Sequence, residues 1–144
     1  MRQVNRTALV TYTPAQMFAL VDDIERYPEF VPWVTQAQVI ERKENEVVAR
    51  LEMERSGVRE KFTTRNTLQS PNRIDLQLVD GPFRLLEGQW TFDAIQNKGT
   101  KVGLVIRFEF ANPVTALLLS RSFEKSCAQL IDAFTQRARA VYAK

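Results

Sequence analysis

Residues 112–142 set the terms for the rest of the chain. Asn112 is a good N-cap, and Pro113 suits the first helical position, where an N–H would have no helical partner anyway. Ala116, Phe123, Cys127, Leu130, Ile131, Phe134, Ala138 and Val141 then fall on one stripe of a 3.6-residue helix. Arg121, Lys125, Asp132, Arg137 and Arg139 occupy the other side. No glycine or proline interrupts the run after Pro113. At 1.5 Å per residue such a helix is roughly 45 Å long. A small flat sheet cannot cover it, so the spacing predicts a sheet that curls around it. The stripe is small at Ala116, Ser120, Cys127 and Ala138. Either the helix simply closes a filled core, or these small positions leave a hollow between helix and sheet.

The preceding residues supply that sheet. Val4, Ala8, Val10 and Tyr12 alternate with polar neighbours as a first strand, and Arg6 shares their side, which is read as a bulge. Thr13, Pro14 and Gln16 form a capping box that starts a short helix through Phe18, Val21 and Ile24. Pro28 and Pro32 restrict the next stretch to a turn of helix and an extended link. From Ala37 to Phe110 the period changes to two, broken by turns at 43–46, 56–57, 70–72, 80–82 and 96–99. Leu86, Trp90, Phe92 and Ala94 make one inward row, and Val102, Leu104, Ile106, Phe108 and Phe110 another. Successive hairpins with one polar and one apolar face predict an α+β domain spanning 1–144. Its antiparallel sheet of about six to seven strands curves around the long C-terminal helix, with two short helices after the first strand.

Composition narrows the chemistry. Histidine is absent and cysteine occurs once. Ser-His-Asp and Cys-His catalysis, His-ligated metal, a thiolate zinc site and an internal disulfide are therefore excluded within one chain. A single cysteine, no apolar leader after Met1 and no apolar run beyond 114–119 predict a cytoplasmic protein without a membrane span. Twenty basic against seventeen acidic residues give a mild +3, with no charge block that would mark a DNA binder. The five glycines are scattered at turns rather than gathered in a phosphate loop, and Asp22, Asp23 and Glu25 read as solvated acids at a helix end. Glu60, Glu87 and Glu109 would serve as general bases only if desolvated and paired.

Four stretches are candidates for function. In the strand 58–68, Val58, Phe62 and Leu68 share a face with Glu60, Thr64 and Asn66. Either the polar groups point into a cavity, or a bulge turns Glu60 outward. Of Tyr27, Phe30 and Trp33, Trp33 reads as helix-to-strand packing, while Tyr27 and Phe30, beside Pro28, either share that packing or line a pocket mouth. Gly81, Pro82 and Phe83 make a lid carrying an aromatic, or only a turn. Leu118 falls nearly opposite the buried stripe, where it would cover a pocket, touch a membrane or meet a partner.

The strings 12–18, beginning Tyr12-Thr13-Pro14, and 21–33, containing Arg26-Tyr27-Pro28-Glu29-Phe30, are familiar, as are Phe62-Thr63-Thr64-Arg65-Asn66, residues 79–90 around Asp80-Gly81-Pro82-Phe83, and Phe108-Glu109-Phe110. Together they resemble the bacterial relatives of the coenzyme Q-binding proteins, in the START-like, helix-grip superfamily labelled polyketide cyclase/dehydrase and lipid transport. The resemblance covers nearly the whole chain. It implies a helix-grip fold and a tunnel holding ubiquinone or a related prenyl lipid, in a non-enzymatic carrier that supports respiratory electron transport. Tyr27, Phe30, Phe62, Leu78, Phe83, Trp90, Phe108, Phe123, Cys127 and Ile131 would line the tunnel, with Glu60 and Asn66 meeting a polar head group. No resident cofactor or metal is expected. Other bacterial members are named ribosome-association toxins of toxin–antitoxin systems, which implies binding to the large ribosomal subunit and a block on subunit joining. The basic surface for that role would be Arg59, Lys61, Arg65, Arg121, Lys125, Arg137 and Arg139. A cytoplasmic protein is expected from the single cysteine, with a peripheral station and transient contact at the inner membrane left open.

Overall fold

The computed structural model describes residues 2–55, 57–96 and 98–142. Chain order is β1 (Arg2–Val10), α1 (Pro14–Asp22), a 3-10 helix (Ile24–Glu29), β2 (Val34–Lys43), β3 (Glu46–Arg55), β4 (Val58–Gln69), β5 (Arg73–Asp80), β6 (Phe83–Ala94), β7 (Thr100–Phe110) and α2 (Pro113–Tyr142). The strands form one antiparallel sheet in the order β1-β7-β6-β5-β4-β3-β2. From β2 to β7 each strand lies beside its successor, as tight turns dictate. Only β1 is out of sequence, because α1 and the 3-10 helix carry the chain to the opposite edge before β2 begins.

The sequence periods explain which face is covered. In β7, Val102, Leu104, Ile106, Phe108 and Phe110 are buried while Lys101 and Arg107 between them are exposed. α2 lays Leu119, Phe123, Ser126, Cys127, Ile131, Phe134 and Ala138 on that inner face. Its start is set as the residues require: Asn112 Oδ1 accepts from the amides of Val114 (2.7 Å) and Thr115 (3.3 Å). The α1 capping box is also formed, with Gln16 N donating to Thr13 Oγ1 (3.1 Å) and Thr13 N to Gln16 Oε1 (2.9 Å). Tyr142 Oη donates to Gln16 O (2.9 Å), tying the end of α2 to α1.

Some positions depart from the pattern reading. Arg6 is not at a bulge, since β1 pairs β7 without a break from Arg2↔Phe108 to Val10↔Thr100. β1 is an edge strand, so the long Arg6 side chain runs out beside α2 into a groove shared with Arg121 and Lys125. Val141 is exposed, and Tyr142, one helical step beyond Ala138, packs instead on Tyr12 with ring centroids 5.7 Å apart. Leu119, which the stripe omitted, is buried. Ala94 is exposed at the hairpin end of β6. Of the expected turns, Ser56 and Asn97 lie outside the described residues. Gly81 has a φ of +150°, and a Cβ there would come within 2.6 Å of Phe62 Cβ. Only glycine lets the β5–β6 turn approach β4 this closely.

Candidate functional site

Between α2 and the curved sheet lies a cavity of about 80 Å³. Its floor comes from inward rows of neighbouring strands: Ala49 and Leu51 of β3, Phe62, Thr64 and Asn66 of β4, Leu76 of β5, Leu86 and Trp90 of β6, and Ile106 of β7. α2 supplies the roof with Phe123, Cys127, Leu130 and Phe134. Val21, Ile24 and Tyr27 close one flank, beside Trp33 and Val34 at the start of β2. The small side chains of Cys127 and Ala49, both on the wall, leave room for the cavity.

Two polar side chains enter this apolar wall from one strand. Thr64 and Asn66 are two apart in β4 and so share a face. Both are buried, and Thr64 Oγ1 donates to Asn66 Oδ1 (2.9 Å). That pairing satisfies the amide oxygen and leaves the Asn66 NH2 as a donor on the cavity side. Glu87 touches the cavity but adds no charge to it. It stands opposite Arg107, an outward residue of β7, and the two pair on the outer face at 2.6 Å.

Two titratable groups of the wall, Tyr27 and Cys127, are held neutral. Burial pushes the Tyr27 phenol far above its ordinary range, with Asp22 and Asp23 adding to the shift, and its hydroxyl donates to the Val21 carbonyl. Burial likewise raises the Cys127 thiol, helped by Glu124, so the nucleophilic thiolate is disfavoured. No group of three or more His, Cys, Asp or Glu that could hold a metal occurs among the described residues.

The sequence-predicted lining divides evenly. Tyr27, Phe62, Asn66, Trp90, Phe123 and Cys127 lie on the cavity wall; Phe30, Glu60, Leu78, Phe83, Phe108 and Ile131 do not. Phe83 and Phe108 belong to a solid plug. Phe83 stacks on Phe110 at 4.5 Å, and Phe108 meets the edge of Phe123 at 4.7 Å. Phe62 closes on Phe83 at 5.6 Å. Phe83 is therefore core at the start of β6, and the segment before it is a turn rather than a lid. Phe30 sits behind the wall, 5.1 Å from Phe134 and 6.0 Å from Tyr27, with the Arg137 guanidinium over its ring at 4.9 Å.

Glu60 follows neither reading of β4. The β3–β4 register runs unbroken through Met53↔Glu60, so no bulge turns it out. It stays on the inner face but is half-exposed, away from the cavity wall. Leu78 and Ile131 are near misses: Leu76, two residues back on the same face, and Leu130 and Phe134 take their places. Ala49, Leu76 and Leu86 are among the wall residues that the expected lining left out. All three lie in alternating rows visible in the sequence, but α2 selects the row members that border the gap.

Four of the seven basic residues expected on a ribosome-facing surface are engaged by acids. Arg59 pairs with Glu54 (2.6 Å) and Glu52, Lys61 with Glu52, Arg65 with Glu46, and Arg137 with Glu29 (2.9 Å).

A seven-stranded antiparallel sheet gripping a C-terminal helix over an apolar gap defines a START-like fold. The chain belongs to the polyketide cyclase/dehydrase and lipid transport family, which it matches over residues 10–135. It is 39% identical over 142 residues to the ribosome association toxin RatA of Vibrio cholerae, covering 99% of both chains. It is 24% identical to the mitochondrial coenzyme Q-binding protein COQ10 of Dictyostelium discoideum, covering 94% of this chain and 68% of that one. Among solved structures, an 18 kDa protein from Caulobacter crescentus superposes with a TM-score of 0.78 at 32% identity, covering all of both chains. The Zhui aromatase/cyclase of a Streptomyces species superposes at 0.85 with 19% identity, over 99% of this chain and 96% of that one; this likeness is one of fold alone.

Proposed function

We propose that this protein acts by associating with the ribosome, binding the large subunit and opposing subunit joining. The observation that carries the reading is the end-to-end 39% identity with a ribosome association toxin. The cavity favours this order of readings. At about 80 Å³ it is well below the roughly 300–1,000 Å³ of an ordinary ligand pocket, and far short of a prenyl quinone. The test is a sucrose-gradient profile of ribosomes with and without purified protein. A fall in joined ribosomes with a matching rise in free subunits is expected, weakening as salt rises. An unchanged pool of joined ribosomes overturns the reading.

The cavity supports a second, compatible role as a site for a hydrophobic molecule carrying a carbonyl. The Asn66 NH2 is the donor such a group needs, in a wall that is mostly apolar. A quinone ring is the best-fitting class, and a prenyl tail would enter only if the flank around Tyr27 and Leu130 moved away. Trp33 and Trp90 both line the gap, so uptake of a short-tailed quinone should quench tryptophan fluorescence. Absence of saturable quenching would remove this role. Both roles are those of a binding module: the sequence holds no histidine, and its one cysteine is buried as a thiol.

A further inference from the structure

The first turns of α2 carry an exposed aliphatic knuckle. Val114 is 64% exposed, Leu117 86% and Leu118 56%. Their i, i+3, i+4 spacing puts them on one face, whereas Leu119 beside them is turned into the core. Exposed leucines in isolation are ordinary, but three aliphatic side chains together on one face mark a contact surface.

The surroundings specify what kind. Leu117 and Leu118 share a groove with Arg2, Arg55, Arg121 and Lys125, and no acidic side chain lines it. Arg2 is paired with Glu124 at 2.8 Å. Arg55, Arg121 and Lys125 have no acid within ion-pair distance among the described residues. This contrasts with the outer face of the sheet, where Arg59, Lys61 and Arg65 are each matched by a carboxylate. An aliphatic tip ringed by unmatched cations is complementary to one surface above others, a bilayer with anionic headgroups. A nucleic acid would use the cations but gain nothing from the leucines, and the knuckle has no aromatic ring on which a base could stack.

We infer that the N-terminal tip of α2 docks the protein reversibly on an anionic lipid surface, with Val114, Leu117 and Leu118 entering the headgroup layer and Arg55, Arg121 and Lys125 meeting lipid phosphates. No helix of the structure is long and apolar enough to cross a membrane, so the contact is peripheral. It places the cavity protein at a surface where hydrophobic molecules reside, and it does not depend on ribosome association.

The test is cosedimentation of the full chain with vesicles of phosphatidylcholine alone and of phosphatidylcholine with phosphatidylglycerol. Binding to the anionic vesicles, falling with salt, and little binding to the neutral ones is expected. The pair L117E/L118E, at exposed positions, should leave the thermal melt unchanged and lower vesicle partitioning by at least about tenfold. R121E/K125E should lower it by a further margin of about fivefold per charge, and only on anionic vesicles. Equal binding to both vesicle types, or leucine variants that bind as tightly as the parent, overturns the inference. The same variants are run on ribosome gradients and by analytical ultracentrifugation. Loss of ribosome binding, or a change in oligomeric state, without vesicle binding by the parent would assign the knuckle to a ribosomal contact or a second copy instead.

Discussion

The interior has two ends built from the same residue type with opposite results. At one end Phe62, Phe83, Phe108, Phe110 and Phe123 fill the space ring against ring, at centroid distances from 4.5 to 6.5 Å. At the other, Tyr27, Trp90 and Phe134 stand edge-to-face around a gap that none of them enters. Phe123 touches both. What differs is the partner across the helix. The plug places bulky rings on both sides, whereas the hollow end is lined by the small Cys127 of α2, by Ala49 and by a hydrogen-bonded Thr64–Asn66 pair. Aromatic content alone therefore does not decide whether this fold is filled. The small and polar residues between the rings do.

The contrast breaks most visibly at Phe108, which is fully buried within the plug. Phe108→Ala should cost about 3–5 kcal/mol, read as a drop in urea midpoint, because the neighbouring rings of Phe83, Phe110 and Phe123 cannot all collapse into the space. At the hollow end, Ala49→Leu should behave in the opposite sense. Overpacking a filled core typically costs about 1–3 kcal/mol, but here the added methylenes enter a gap, so stability should change by less than about 1 kcal/mol. The same variant should abolish quinone-induced quenching. A large loss of stability would mean the gap is not available to side chains.

The smallest effect concerns the cover over the hollow end. Glu29 accepts hydrogen bonds from Arg26 and Arg137 (2.9 Å each), and Arg137 in turn caps the Phe30 ring. Those two hydrogen bonds, first Arg26 and then Arg137, hold the Glu29 carboxyl below its ordinary value. A depressed carboxyl favours the fold above its unfolded pKa, and that contribution is lost as pH falls through the folded one. Glu29→Gln should therefore be slightly less stable than the parent at neutral pH and converge with it as pH falls through the depressed Glu29 carboxyl. Since Glu29 is exposed, the difference should be small and shrink with salt. A gap that persists in acid would sink this account.

Most of the fold was legible in the residues because its signals are local. Asn112 and Thr13 cap where their side chains allow, the β7 row alternates cleanly, and the length of α2 demands a curved sheet. The resemblance led to the same architecture. The site was half legible, for a physical reason. Alternation tells which face a residue occupies, and so Leu76 and Leu78 are equivalent in sequence. Which of the two borders the gap depends on where α2 crosses the sheet. The same limit explains Glu60, whose face was readable but whose position beyond the cavity was not. The paired charges on β4 were hidden for another reason: their acids sit on the neighbouring strand, and only the register brings Glu52 and Glu54 opposite Lys61 and Arg59 and sets Glu46 on the diagonal from Arg65.

The placement of β1 at the far edge has a consequence for synthesis. Its partner β7 is made after every other strand, so β1 must wait with its backbone amides and carbonyls unmatched until all the intervening strands are available. The hairpins from β2 to β7 can assemble in order during that interval, and docking of β1 and α2 is then the closing event. Nascent chains halted before β7 would present a bare strand and an uncovered apolar sheet, the combination that recruits chaperones or aggregates.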